Sequence, residues 1–216
     1  MAHCTALLAL ALGGFGLPLA HAAQAAATTN GPRILVVGDS LSAEYGLARG
    51  SGWVALLQQR LDKEGIRASV VNASISGDTT AGGRARLPAL LKQNRPDIVV
   101  LELGGNDALR GLPLEGTQAN LAAMAHAARD AGARVLILGM QVPPNYGRQY
   151  SDRFAALFAD VARAEKASLV PFMLKGVADA ENAESMFQPD RIHPVAAAHP
   201  KILANVWPAL EPLLKS

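Results

Sequence analysis

"RILVVGDSLS", residues 33–42, sets an unbroken apolar run against a polar pair delivered at its end. The aliphatic residues Ile34 to Val37 alternate with nothing, so both faces of the strand they form must be covered. That is the pattern of a parallel sheet flanked by helices, not of a half-solvated antiparallel one. Gly38 closes the run, and Asp39 and Ser40 follow. A post-strand Asp-Ser pair reads either as an ordinary turn or as a hydroxyl held on display.

The same apolar pattern recurs at Ala68–Ala73, Asp97–Leu103 and Arg134–Met140, and in weaker form at Ser168–Phe172. Helical periods lie between these runs. In "WVALLQQRLDKEG", Trp53, Leu56, Leu57 and Leu61 fall on one face and Gly65 is placed to end the helix. Further helices are expected to open at Thr117, at Ser151 and near Val195, the last running to Leu214 despite Pro200 and Pro208. Strand–helix alternation specifies an α/β architecture with right-handed crossovers. With no internal repeat, charge block or linker, residues 33–216 are expected to form one domain.

Composition narrows the function classes. The net charge of +2 and the 5% aromatic content argue against a dedicated nucleic-acid binder, which needs a basic face or stacking residues. The first 22 residues hold no Lys, Arg, Asp or Glu, and an apolar stretch too short for a membrane span ends in "AHA" at 20–22. This predicts a secretory signal peptide cleaved after Ala22, a flexible lead-in over 23–32, and no stable membrane insertion once the signal is removed. Cys4 is the single cysteine and lies inside that signal, so a mature chain has neither disulfide nor thiol nucleophile.

Ligands of an open parallel sheet bind at the carboxyl ends of its strands. The post-strand segments are "GDS", "NASISGDT", "GGND" and "QVPPNYG", joined by "FQPDRIHP" before the last helix. Serine hydrolysis needs a hydroxyl, an imidazole base, a carboxylate to orient it and donors for an oxyanion. Ser40 supplies the hydroxyl. Asp190 and His193, three apart in a Pro-flanked loop, supply acid and base, and Gly77 and Asn106 are candidate donors. His199 is the rival base but has no acid three residues before it, and His126 reads as a mid-helix surface or packing residue. Asp39 is expected to brace its loop, Asp107 to form an Asx-turn, and Ser42, Ser74 and Ser76 to be loop hydrogen-bonders. No zinc, EF-hand, dinucleotide or P-loop motif occurs, so neither a metal nor a cofactor is expected. The G-x-S-x-G elbow is also absent, which counts against a conventional α/β-hydrolase fold.

The ordered blocks "GDSLS", "SISGDT", "GGND" and "DRIHP" resemble those of the GDSL/SGNH hydrolases, over about the whole mature chain. "VVNASISGDT", "RLPALLKQ", "LELGGND" and "PPNYGRQY" are similar to the bacterial periplasmic arylesterase, thioesterase I and lysophospholipase subgroup. The resemblance implies a flavodoxin-like three-layer α/β/α sandwich with a five-stranded parallel sheet. It implies Ser40 as nucleophile, Asp190 and His193 as its triad partners, and an oxyanion hole of the Ser40 N–H, the Gly77 N–H and the Asn106 amide. Aryl esters, acyl thioesters and lysophospholipids are the substrates implied. Leu109, Val142 and Pro143, on apolar post-strand segments, are the expected walls of an acyl groove. Arg191 stands where many members carry Gly and sets a cation beside the triad. The rivals are a carbohydrate O-acetyl esterase of the same superfamily and a periplasmic binding module without catalysis. Oligomeric state is not read from the sequence, and a monomer is compatible with this site.

Overall fold

The computed structural model describes Met1 and residues 31–215. The expected signal peptide and most of the lead-in lie outside the described residues. Five parallel strands, β1 (Arg33–Gly38), β2 (Ser69–Asn72), β3 (Ile98–Glu102), β4 (Arg134–Leu138) and β5 (Ser168–Val170), form one sheet in the order β2-β1-β3-β4-β5. β2 to β5 lie within their expected runs, and β1 extends past its own through Gly38. β3 is buried throughout and β1 almost so, as their continuous aliphatic sequence requires, whereas edge strand β2 is only half covered.

Among the described residues six helices flank the sheet: α1 (Trp53–Lys63), α2 (Thr80–Asn94), α3 (Gly105–Leu109), α4 (Leu114–Asp130), α5 (Arg148–Ala164) and α6 (His199–Leu214). α1 packs on α6, and α4 packs between α2 and α5, giving the α/β/α sandwich. The strand order is the flavodoxin-like doubly wound one, whose crossovers change direction between β1 and β3.

Three helix starts differ from expectation. α4 begins at Leu114 after Pro113, so Thr117 is no N-cap; it is buried, and its hydroxyl reaches Asp107 at 3.3 Å. α5 begins at Arg148, behind Gly147 at φ +81°. α6 begins at His199, preceded by a single 3-10 turn at Ala196–Ala198, and Pro200 falls in its first turn, where a missing N–H costs nothing.

α2 has no counterpart in the hydropathy pattern. Its buried positions are Thr80, Gly83, Leu87 and Leu91, so half of the inward stripe is polar or bare, and an exposed Pro88 lies inside the helix. Gly83 is small for a reason: a Cβ there would lie 2.3 Å from Leu103 Cδ1 and 3.2 Å from Met124 Sδ. The helix packs by close backbone approach instead of by apolar bulk, which periodicity does not reveal.

The start of α2 is tied to α3 by Asp107. This carboxylate is no local Asx-turn. Its Oδ2 accepts the Thr80 N–H at 2.9 Å, and Oδ1 accepts the Thr80 and Thr117 hydroxyls. All three residues are buried. Asp107→Ala strands three donors in a dry site and is expected to cost about 2–4 kcal/mol. Denaturant unfolding against wild type measures the loss; a change below about 0.5 kcal/mol rules the tie out as a stabiliser.

Candidate active site

β1 and β3 end level, with Gly38 paired to Glu102, so the segments leaving them enter one crevice. After β1 the chain folds into a turn closed by Ser42 N–H and Ala43 N–H donating to the Asp39 carbonyl at 3.2 and 2.9 Å. Ser40 stands on this turn, half-buried. After β3, Gly104 at φ +124° redirects the chain into α3, whose first turn carries Asn106. Gly77, at φ +78°, lies in the loop after β2, which is held against β1 by Ile75 N–H donating to the Gly38 carbonyl at 3.0 Å.

The third group comes from far along the chain. The loop 187–195 is pinched at its base by a Phe187–Pro194 bridge, by Gln188 N–H on the His193 carbonyl at 2.7 Å, and by Val195 N–H on the Met186 carbonyl. Gln188 then donates Nε2 to the Tyr45 carbonyl at 2.9 Å, fastening the loop to the segment after Ser40. The result brings His193 Nε2 to 2.9 Å from Ser40 Oγ and His193 Nδ1 to 2.7 Å from Asp190 Oδ2. Asp190 Oδ1 accepts the His193 and Ile192 N–H groups, each at 3.0 Å. These bonds, the His193 N–H first, hold the Asp190 pKa down at about 2, so it stays an anion behind the imidazole.

Neither the Ser40 N–H nor the Gly77 N–H has a protein acceptor among the described residues. Asn106 spends one amide hydrogen on Asp39 Oδ2 at 2.9 Å and keeps the other. The sequence-derived set Ser40, Gly77, Asn106, Asp190 and His193 therefore converges on three adjacent strand ends and one loop. The rival His199 is buried at the start of α6, where Nδ1 accepts the Trp53 N–H at 3.0 Å, and His126 lies on the surface of α4 between Asp130 and Glu165. Arg191 adopts φ +58°, the conformation a glycine takes without strain, and its 81% exposed side chain turns toward Glu184.

Asp39 braces its loop as expected, with Oδ1 accepting the Leu41 N–H at 3.0 Å. It also orients Asn106, which sequence reading did not foresee. Ser42 is a loop hydrogen-bonder as expected, though buried, donating to Glu102 and accepting from Trp53, whereas Ser74 Oγ is buried with no partner among the described residues, against expectation. Tyr45 went unnoticed altogether. Its ring centroid lies 4.3 Å from that of His193. Arg86 was missed too: it grips Asp78 at 2.8 Å and reaches the Ala73 carbonyl, bracing the loop that carries Gly77.

A parallel sheet of order 2-1-3-4-5 with a Ser–His–Asp relay at its switch point defines an α/β hydrolase of the SGNH kind. The chain belongs to the GDSL-like lipase/acylhydrolase family, which residues 36–200 match. It is 57% identical over 191 residues to esterase TesA of Pseudomonas aeruginosa, covering 88% of this chain and 92% of the relative. It is 42% identical over 181 residues to thioesterase 1/protease 1/lysophospholipase L1 of Escherichia coli, covering 84% of each. The crystal structure of the psychrotrophic esterase EstA from Pseudoalteromonas, inhibited by monoethylphosphonate, superposes with a TM-score of 0.80 at 38% identity, covering 86% of this chain and 100% of EstA.

Burial, with the nearby Asp78 adding to it, outweighs the Leu41 and Asn106 hydrogen bonds and the charge of His193, and lifts the Asp39 pKa from 3.8 to about 6. A carboxyl whose folded pKa exceeds its unfolded one stabilises the fold below the unfolded value. That stabilisation is lost as pH rises through the folded value. Asp39→Asn removes the titration. The stability of the variant relative to wild type is expected to rise by on the order of 2–3 kcal/mol between pH 4 and pH 7. Thermal melts across that window test it, and a difference that stays flat refutes the assignment.

Proposed function

We propose that the protein hydrolyses carboxylic esters and thioesters, among them aryl esters, acyl thioesters and lysophospholipids, through an acyl-enzyme on Ser40. The observation that carries this reading is the continuous relay Asp190–His193–Ser40 beside main-chain N–H groups with no protein acceptor among the described residues. The relatives are named for the same chemistry: an esterase, and a thioesterase and lysophospholipase.

In this mechanism His193 Nε2 takes the Ser40 proton as Oγ attacks the acyl carbonyl, while Asp190 keeps Nδ1 protonated and steadies the imidazolium. The Ser40 and Gly77 N–H groups and the free Asn106 hydrogen meet the oxyanion. His193 then protonates the departing alcohol or thiol. A water activated by the same imidazole releases the acid and restores Ser40.

The surface around the relay suits an acyl chain. Within residues 31–215 the exposed large apolar side chains are Tyr45, Ile75, Leu109, Leu112 and Ile192, all at the carboxyl end of the sheet, four on loops and Leu109 as the last residue of α3. Clustering of this kind marks a binding surface, because isolated exposed apolar residues are scattered. Leu109 and Pro143 are exposed and Val142 is half-buried against the core, so all three remain candidates for the chain's walls. Export to the periplasm or the exterior belongs to the same reading and is supported by the uncharged apolar opening ending in "AHA".

Ser40→Ala is expected to keep its thermal midpoint and lose at least about a thousandfold in kcat, and Asn106→Ala about a hundred- to a thousandfold. Wild type is expected to gain one stoichiometric adduct from an organophosphonate, on Ser40. Turnover by a folded Ser40→Ala at the wild-type rate overturns the mechanism, and absence of the adduct favours a mere binder. Across p-nitrophenyl esters, kcat/KM is expected to rise at least about tenfold from acetyl to octanoyl, since each buried methylene contributes up to about 0.8 kcal/mol. Preference for acetyl would instead indicate a deacetylase.

A further inference from the structure

β3 ends in an acid. Glu102 is 0% exposed, beneath the turn that carries Ser40, in a strand whose other residues are all aliphatic. Its Oε2 accepts the Ser42 hydroxyl at 2.6 Å and the Asp39 N–H at 3.2 Å. These two residues are the shoulders of the turn on whose top Ser40 sits. The Ser42 Oγ in turn accepts the Trp53 indole N–H at 3.1 Å, which extends the network into α1. Gly38 leaves room for this carboxyl: a Cβ there would lie 2.6 Å from Glu102 Oε2 and 2.8 Å from Ser42 Oγ.

We propose that Glu102 is a positioning residue, whose single oxygen Oε2 clamps both shoulders of the nucleophile turn and so fixes where Ser40 Oγ stands relative to His193. This rests on the reading of Ser40 as the nucleophile.

Bulk packing does not explain the residue. A buried carboxyl costs stability relative to an apolar side chain of the same size, and Oε1 has no partner among the described residues. Among the described residues no cation is paired with Glu102, and the acid it meets in the network is Asp39. Burial first, and the Asp39 charge second, push its pKa well above the ordinary carboxylate range. Burial therefore disfavours a charge at this position, beneath Asp39. What it contributes is geometry. Two donors on the backbone and side chain of one short turn meet at one point on a central, immobile strand. Small errors at such a point are amplified, because a displacement of about 1 Å at a reacting group costs on the order of a hundredfold in rate.

The test compares Glu102→Met, which keeps the volume and removes the acceptor, with Glu102→Gln, which keeps a neutral acceptor. Two quantities are followed: kcat and KM on a p-nitrophenyl ester, and the rate of organophosphonate labelling at Ser40. In Glu102→Met both kcat and the labelling rate are expected to fall about ten- to a hundredfold, with KM within about threefold of wild type. Glu102→Gln is expected to recover both to within about threefold. A folded Glu102→Met that turns over and labels like wild type overturns the proposal, as does a folded Glu102→Gln no better than the Met variant. Should the Met variant not fold, Ser42→Ala releases one shoulder only and is expected to slow labelling severalfold, wild-type labelling again being the contrary result. If wild type itself takes up no adduct at Ser40, the hydrolase reading fails and this one with it. If wild type labels and the variants keep pace, only the role of Glu102 fails.

Discussion

The pairing of β1 with β3 is the constraint on which the site depends. Ile34 to Gly38 run level with Ile98 to Glu102, both strands sheathed by helices, so two loops leave the sheet at the same height. Crossovers from these strands depart in opposite directions, and the gap they open is where a doubly wound fold accepts ligands. Ser40 enters the gap from one side and Asn106 from the other, with Asp39 bonded across it. A slip of one residue in either strand would exchange its buried aliphatic set between the two sheet faces and part Gly38 from Glu102. The apolar pattern that specifies the strands thus also specifies the alignment of the reactive groups.

Three carboxyl groups surround the nucleophile, and depth separates their behaviour. Asp190 stands in a solvent-exposed loop, accepts two main-chain N–H groups and is held ionised. Asp39 lies 2% exposed between loop and core and titrates near 6. Glu102, at the strand end beneath both, is pushed well above the ordinary carboxylate range by burial and by the Asp39 charge. One functional group therefore serves as an anion behind a base, as a brace for an amide and as a buried clamp. Desolvation, hydrogen bonding and the neighbouring charges make the difference.

Much of this was legible in the residues. The strands and the triad were readable because each carries a signal local in sequence: aliphatic runs, a polar residue directly after a strand, an acid three residues before a histidine. The hidden parts are those whose partners meet only in space. α2 hides because its inward stripe is Thr, Gly and Leu, a pattern that makes sense only beside Leu103 and Met124. Asp107 read as a local turn because its true partner, Thr80, lies on another helix. Glu102 did carry a signal, an acid closing an aliphatic strand, but its meaning needed the turn above it. Tyr45 carried none, since nothing in "SAEYGL" places it on a histidine nearly 150 residues later.

That separation raises the question of how such distant segments keep a 2.9 Å contact in a chain whose only cysteine is Cys4. The answer lies in Gln188. Its amide donates to the Tyr45 carbonyl and to the Pro194 carbonyl, so one side chain fastens the base-bearing loop to the segment after the nucleophile and tightens the loop on itself. Gly46 is bare where Gln188 passes: a Cβ there would lie 2.2 Å from its Oε1. Closing a long stretch of chain costs little more than closing a short one, because loop entropy grows only with the logarithm of length. A few well-placed hydrogen bonds and one ring contact therefore suffice where a small secreted domain would need a covalent staple, provided the sheet has already brought the loops to the same end.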